Sequence, residues 1–326
     1  MLRPALPHRR HLLAAALLAL AAPLALAQPQ ADRPLRLVVP LTTGSTVDAI
    51  ARTISAPLAK ATGHPVVVEN LPGAGGMTGT LQVVKAARDG MTLALVSSNH
   101  VINPAIYKTV LFDHMNDITP IAVVGAVPLV LVVHPSVPAK NTAELVALMK
   151  AQPGKLNYGS AGNGSTLHLA AEMLASETGT DIRHIPYKGT GPLTTDLVGG
   201  QVQMAFVSVT AAAPQVRAGK LRAIAVSTKQ RSAVLPEVPT LAETGLPGYA
   251  FEPWIAMVGP AGLPARVVQD TYANLRKAMA EPVVQEAMAA QGISLVDIAP
   301  AQAPAFFRSE LDKHAKLVKR SGATLD

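Results

Sequence analysis

The sequence predicts an α/β fold in which strands alternate with helices and the sheets are largely parallel. Two observations predict it. Short apolar runs alternate with helical segments along most of the chain. Most of these runs are continuous in Val, Leu, Ile and Ala, as is typical of strands covered on both faces. The strand candidates are Leu35–Val39, Val66–Glu69, Thr92–Ser97, Ile121–Val133, Leu156–Tyr158, Ile182–Pro186, Val202–Ser208, Leu221–Ser227 and Ile255–Val258.

Amphipathic segments between these runs predict the helices. Val47–Thr62 places its apolar residues on one face, and we expect a kink or a restart at Pro57, which lies inside the pattern. A second helix is predicted over Thr166–Thr178, with Gly179 as its C-terminal cap. Two apolar stripes predict helices near the C-terminus, one of Val268, Tyr272, Leu275 and Met279 and the other of Phe307, Leu311, Ala315 and Val318.

Two long apolar segments, Val123–Pro135 and Phe251–Pro264, flank the middle of the chain. They are either two core strands or paired crossovers between two domains, and the prolines that close each segment favour the crossovers. The sequence therefore predicts a discontinuous first lobe, residues 28–125 and 256–326, and a second lobe, residues 126–255.

The N-terminus has the pattern of an export signal. Arg3, Arg9 and Arg10 precede an uncharged run, Leu12–Ala27, which ends in A-x-A. This pattern predicts a signal peptide cleaved after Ala27 and an exported mature protein. A retained N-terminal anchor is the alternative, and the paired arginines leave open whether export uses the general or the twin-arginine route.

Composition excludes several classes of protein. The net charge of +7 comes without Lys/Arg clusters or interleaved aromatics, so a nucleic-acid partner is not expected. The chain has no cysteine, which excludes disulfides and thiolate metal sites. The histidines show no metal-binding spacing, and we expect neither a metal nor a cofactor.

Two glycine-rich segments approach enzyme motifs without matching them. Tyr158–Gly162 resembles a nucleophile elbow around Ser160, but tyrosine stands where that motif needs glycine. Gly73–Gly79 follows a strand, as a dinucleotide fingerprint would, but its glycine spacing is wrong. No catalytic residue is assigned, and an exported serine hydrolase using Ser160 stays open as an alternative.

Three segments have the same order of elements, a strand, then a loop rich in Gly, Ser or Thr, and then the start of a helix. They are Val38–Asp48, Val68–Gly76 and Asn157–Ser165. The first amides of a helix are unpaired and its dipole is positive there, so such a loop binds an anion without a cationic side chain. Each loop also has a purely structural interpretation, because its Ser or Asn residues are good helix caps. Three such loops without catalytic partners favour an anion-binding cleft.

The motifs that carry a family resemblance are spread over the whole mature chain. They are Leu35–Pro40 with the following loop and Asp48, Pro65–Gly76, Arg88–Leu93, Asn103–Tyr107, Tyr158–Leu169, Ile185–Gly189, and Val238–Thr240 with Glu243–Gly245. In this order they resemble the tripartite tricarboxylate transporter substrate-binding family, also called the Bordetella uptake (Bug) family. The resemblance implies a periplasmic, type II-like clamshell of two lobes, each a mostly parallel sheet flanked by helices, joined by two crossover strands.

The resemblance also implies a monomeric receptor that has no catalytic activity. It would hold a small carboxylate between its lobes and deliver it to membrane permease subunits, although signalling to a sensor kinase is an alternative. Val207–Val209 lacks the acidic residue that suits amino-group recognition, which favours a plain di-, tri- or aromatic carboxylate. Whether His168, Tyr187 or Lys188 contacts the ligand stays open. The expected ligand-binding residues are Thr42, Thr43, Gly44, Ser45, Thr46, Asp48, Gly75, Gly76, Ser98, Gly159, Ser160, Ala161, Asn163, Gly164, Ser165, Thr166, His168, Tyr187 and Ser208.

Overall fold

The computed structural model describes residues 33–324, whose strands build two separate sheets. The predicted signal peptide lies outside these residues. The first sheet contains β1 (Leu35–Val39), β2 (Val66–Asn70), β3 (Thr92–Ser97), β4 (Ile118–Ala126), β10 (Trp254–Pro260) and β11 (Ser294–Ile298). The second contains β5 (Leu129–Val133), β6 (Asn157–Ser160), β7 (Arg183–Pro186), β8 (Met204–Ser208) and β9 (Arg222–Val226).

Both sheets are mixed rather than mostly parallel as expected. In the first, ordered β11-β4-β10-β3-β1-β2, β1 is parallel to both neighbours, whereas β10 and β11 pair antiparallel. In the second, ordered β7-β6-β8-β5-β9, β6 is parallel to both neighbours and β5 is antiparallel to both. In the first sheet β10 and β11 run opposite to the other four strands, and in the second β5 runs opposite to the other four.

The parallel strands bring the predicted loops together at one edge of each sheet. The carboxyl ends of β1, β2 and β3 lead into residues 40–45, 71–76 and 98. Those of β6, β7 and β8 lead into residues 161–165, 187–189 and 208. Parallel neighbours end at the same edge, so each sheet presents a cluster of glycine- and hydroxyl-rich loops.

The helices follow the predicted pattern closely. The predicted helix at Val47–Thr62 runs without interruption, so it does not restart at Pro57. The helix at Thr166–Thr178 ends at Gly179, whose φ is 61° and whose amide donates to the Ala175 carbonyl. The helices are α1 (Thr46–Thr62), α2 (Met77–Val84), α3 (Asn99–Ile106), α4 (Thr142–Ala151), α5 (Thr166–Thr178), α6 (Thr190–Val198), α7 (Val209–Arg217), α8 (Ala265–Met279), α9 (Pro282–Ala290) and α10 (Ala303–Ser321), with a 3₁₀ turn at Ala74–Gly76.

The two long apolar segments pass between the sheets, as the crossover interpretation predicted. The first is two strands, β4 in the first sheet and β5 in the second, separated at Val127 and Pro128. The second returns the chain from the second sheet to β10 in the first. The amide of Val127 donates to the Pro253 carbonyl at 2.6 Å, so the two crossings lie side by side.

One strand, β11, was missed from the sequence. Its residues, SLVDI, are exposed or partly exposed and lie at the sheet edge. Among the described strands they pair with β4 alone, with an irregular register. A short strand that buries little apolar surface leaves a weak pattern. In residues 33–324, no helix combines the length and apolar character required to cross a membrane.

Candidate ligand-binding site

The loop before α1, residues Thr42–Asp48, is held by its own helix and is called loop 1. The Ser45 hydroxyl accepts a hydrogen bond from the Asp48 amide at 3.2 Å, as an N-cap. The Asp48 carboxylate reaches back and accepts one from the Gly44 amide at 2.9 Å. Gly44 has a φ of 82°, a left-handed conformation that favours glycine.

The loop before α5, residues Gly162–His168, repeats this arrangement and is called loop 2. The Ser165 hydroxyl accepts from the His168 amide at 3.3 Å, and the Nδ1 atom of His168 accepts from the Gly164 amide at 3.1 Å. Ser165 has φ −67° and ψ 158°, against −68° and 157° at Ser45. The sequences GSTVD (Gly44–Asp48) and GSTLH (Gly164–His168) therefore form the same capped helix start.

Both loops leave amides that a ligand can use. Within the described residues, the amides of Thr46 and Val47 in loop 1, and of Thr166 and Leu167 in loop 2, donate no hydrogen bond to the chain. These are first-turn amides of long helices, where the dipole favours negative charge. Each loop can therefore hold an anion or a polar oxygen without a cationic side chain.

Asp48, an expected ligand contact, is already engaged by the protein. Besides the Gly44 amide, its carboxylate accepts from the Asn70 side chain at 2.9 Å and pairs with Nε of Arg52 at 3.0 Å. Burial opposes ionisation, but these hydrogen bonds and the guanidinium charge together lower the pKa of Asp48 below its usual value. Asp48 therefore stays ionised and shapes loop 1.

His168 is buried rather than exposed. Its ring lies parallel to that of His184 with centroids 3.9 Å apart, and the ring of Tyr158 stacks near both, 4.9 Å from His184 and 6.2 Å from His168. Burial lowers the pKa of His168 to about 3 and that of His184 to about 4, so both are neutral at pH 7. The hydroxyl of Tyr158 donates to Glu172 at 2.5 Å. Sequence reasoning missed His184 because nothing in its spacing marks it.

Ser160 lies beneath loop 2 and is fully buried. Its hydroxyl donates to the Gly162 carbonyl at 2.9 Å and lies 2.6 Å from Nε2 of His184, which donates or accepts according to its tautomer. Its oxygen also accepts from the Gly162 amide at 3.1 Å. These contacts give Ser160 a structural role in holding loop 2.

Gly75 and Gly76 lie in the turn Gly73–Gly76, called loop 3, which packs on α3. The side-chain amide of Asn103 donates to the Gly75 carbonyl at 3.0 Å. A Cβ atom at Gly75 would lie 2.7 Å from Oδ1 of Asn103 and 3.1 Å from the ring of Tyr107. Loop 3 also lines a cavity of about 10 Å³, room for one water molecule.

Helix α3 contacts loops from both sheets. A Cβ atom at Gly164 would lie 2.4 Å from Cδ1 of Ile106, one turn beyond Asn103. Ile106 and Ile102 belong to the apolar cluster of the second sheet, although α3 follows a strand of the first. The structure therefore brings loops 2 and 3 against one helix. No hydrogen bond within residues 33–324 joins loop 1 directly to loop 2.

The other expected residues occupy the same loop edges. Thr42 and Thr43 are exposed, and Ser98 is fully buried with a hydroxyl that has no partner in the described structure. Ser208 caps α7 by accepting from the Ala211 amide at 3.3 Å. The hydroxyl of Tyr187 donates to Asp196 at 2.9 Å. Among residues 33–324, no group of His, Cys, Asp and Glu side chains suits a metal ion.

Comparison with known sequences identifies relatives along almost the whole chain. Residues 50–323 match the family model described as tripartite tricarboxylate transporter family receptor. The chain is 36% identical to protein BugT of Bordetella pertussis over 295 residues, covering 90% of each chain. It is 38% identical over 288 residues to a protein from the tcbD-tcbE intergenic region of Pseudomonas sp. (strain P51), covering 88% of this chain and 86% of that one.

Solved structures share the fold. The periplasmic binding protein BugD is 33% identical, with a TM-score of 0.77, and the match covers 90% of this chain and 98% of that one. An R. palustris protein solved with adipate is 31% identical, with a TM-score of 0.80 and coverage of 91% and 100%. MatC from Rhodopseudomonas palustris, with bound malate, is 30% identical, with a TM-score of 0.76 and coverage of 88% and 99%. The fold is therefore the two-domain α/β fold of periplasmic binding proteins, with mixed sheets flanked by helices.

Proposed function

The chain belongs to the tripartite tricarboxylate transporter receptor family, and on this premise we propose that it is a periplasmic receptor for a small carboxylate. The observation that carries the proposal is the repeated helix start at Gly44–Asp48 and Gly164–His168, which leaves unpaired amides in both loops. Two relatives are solved with malate and adipate, both dicarboxylates. We therefore favour a di-, tri- or aromatic carboxylate as the ligand.

The ligand would lie between two lobes, residues 28–125 with 256–326 and residues 126–255. Strand membership supports these boundaries to within two residues, because the chain leaves the first sheet after Ala126 and returns to it at Trp254. Contacts from one ligand to both lobes favour a closed state over an open one. The hydroxyls of Thr43, Ser165 and Thr166 are the proposed side-chain contacts, beside the first-turn amides.

A ligand panel tests this proposal directly. A carboxylate that binds the folded state raises the melting temperature by mass action. We expect a rise with at least one of malate, adipate, citrate and benzoate at millimolar concentration. No rise with any of them would contradict the proposal, and native mass spectrometry of the purified protein would identify a ligand retained through purification.

Two N-cap variants separate binding from stability. Ser165→Ala removes the cap of α5, and Asn141→Ala removes that of α4, where Asn141 accepts from the Glu144 amide at 2.9 Å. Each change should cost about 1 kcal/mol of stability. Only Ser165→Ala should also weaken carboxylate binding. If the two variants bind the carboxylate with equal affinity, Ser165 does not contribute to the binding site.

Delivery to membrane permease subunits follows from the family and is part of the proposal. Deletion of the gene should abolish uptake of the bound carboxylate, whereas a receptor for a sensor kinase would alter transcription and leave uptake intact. The mature protein is proposed to be a periplasmic monomer cleaved after Ala27. The mass of the exported protein, and its size in solution, test these points.

The hydrolase alternative rests on the contact between Ser160 and His184. A fluorophosphonate probe should leave the protein unlabelled, because Ser160 is fully buried and its oxygen accepts from the Gly162 amide. If the probe labels the wild-type protein and Ser160→Ala abolishes the labelling, the result would support the hydrolase alternative.

A further inference from the structure

Loops 1 and 2 share one geometry but differ in charge. The residue that reaches back to the loop glycine is Asp48 in loop 1 and His168 in loop 2. One turn further along, α1 carries Arg52 and α5 carries Glu172. The same hydrogen bond is therefore made by an anionic acceptor beside a cation in one loop, and by a neutral acceptor beside an acid in the other.

The surroundings of His168 explain why a neutral acceptor is needed there. Its Nε2 atom lies 3.8 Å from Oε1 of Glu172 on the same helix. The rings of His184 from β7 and Tyr158 from β6 stack within 3.9 and 6.2 Å. An ionised carboxylate at position 168 would face Glu172, whereas the carboxylate of Asp48 faces Arg52. Two like charges this close disfavour ionisation of either group, and together they would repel an anionic ligand.

We propose that His168 is a positioning and specificity residue, which fixes the Gly164 amide while keeping the start of α5 free of negative charge. The inference rests on the proposed function, because it concerns how loop 2 accepts an anionic ligand. Asp48 makes the equivalent hydrogen bond in loop 1, so geometry alone does not require histidine. What histidine supplies is an acceptor atom without a charge.

Two isosteric substitutions separate geometry from charge. His168→Asn and His168→Asp both remove the stacked imidazole, and both offer an oxygen in the place that Oδ2 of Asp48 occupies in loop 1. They have the same shape and differ in charge, with an NH2 group in asparagine where aspartate has its second oxygen. We expect His168→Asn to bind within about threefold of wild type and His168→Asp to bind about tenfold to a hundredfold more weakly at low salt. This difference should shrink as salt is raised, because added ions screen the introduced charge.

The measurement is isothermal titration with whichever of malate, adipate, citrate and benzoate binds wild type most tightly. It is made at low and high salt, and again at a pH low enough to protonate the introduced carboxyl, where the affinities of His168→Asp and His168→Asn should converge, because protonation of the ligand weakens binding to both alike. Circular dichroism and melting curves confirm that both variants are folded.

Three outcomes would overturn the inference or its premise. Equal affinities of the two variants at every salt concentration and pH would show that charge at position 168 does not matter. Loss of binding in His168→Asn as well would show that the imidazole itself is required. If wild type binds none of the four carboxylates, the proposed function fails and the inference with it.

Discussion

Asn103 donates a hydrogen bond from its side-chain amide to the carbonyl oxygen of Gly75, 3.0 Å away. One turn further along α3, Ile106 packs against the backbone of Gly164 in loop 2. The same helix therefore supports a loop of the first sheet and a loop of the second, and the placement of both depends on α3.

Replacing Asn103 by aspartate should loosen loop 3. Asn103→Asp keeps the shape but turns the donor into an acceptor that faces a carbonyl oxygen. Because Asn103 is 5% exposed, we expect a loss of about 1–3 kcal/mol in the free energy of unfolding, together with weaker carboxylate binding. Urea denaturation and titration measure the two effects. The exposed change Gln269→Glu, at a side chain of α8 that makes no hydrogen bond within the described residues, should alter neither. An Asn103→Asp protein as stable as wild type would contradict the hydrogen bond.

Gly164 and Gly44 form a matched pair for testing the contact with α3. Both have positive φ, 73° and 82°, so alanine strains the backbone at either position by about 1 kcal/mol or more. A Cβ atom at Gly164 would clash with Ile106, whereas one at Gly44 meets no atom of the described residues within 4 Å. Gly164→Ala should therefore destabilise the protein more than Gly44→Ala. Adding Ile106→Ala should remove the steric part in a double-mutant cycle. Equal losses in the two glycine variants would mean that loop 2 does not pack on α3.

The fold and the loops were largely predictable, because continuous apolar runs and capping residues are local signals. The sequence offered Ser45 as one cap and either Ser165 or Asn163 as the other, and in the structure Ser45 and Ser165 have that role. The hydrogen bonds to the two loop glycines were not predicted, because each depends on how a loop folds back on its helix.

Contacts that depend on strand register could not be predicted either. His184 meets His168 because β6 and β7 are parallel with Tyr158 opposite His184. No periodicity within either segment carries that information. The antiparallel strands were missed for a related reason, since continuous apolar runs do not reveal the direction of a strand.

Asp48 should make stability depend on pH in the acid range. Its folded pKa is lowered, so its contribution is complete above the unfolded value of about 3.9 and is lost as the pH falls through the folded value. In Asp48→Asn, the side-chain NH2 group must point towards donors that the carboxylate now accepts from. These are either the Gly44 amide or the side chains of Asn70 and Arg52. We expect this variant to lose about 1–3 kcal/mol at pH 7. The difference should narrow as the pH falls below about 3.9, because the unfolded state then binds a proton that folded Asp48 does not. Urea denaturation at pH 7, 5 and 3 measures it, and a difference that does not change with pH would contradict an ionised Asp48 in loop 1.

A charged substitution at Ser208 tests whether the lack of an acidic residue there favours ligands without an amino group. Ser208 caps α7 at the carboxyl end of β8, and aspartate is an equally good cap, so Ser208→Asp should fold normally. A new negative charge at the binding edge should weaken malate and adipate binding by about tenfold at low salt. The same charge would attract the amino group of aspartate, so the ratio of aspartate to malate affinity should rise. Ser309→Asp adds an equal charge on the exposed face of α10 and should change neither affinity. If Ser208→Asp behaves like Ser309→Asp in titrations with both ligands, Ser208 lies outside the site, and its neutrality does not explain a preference for plain carboxylates.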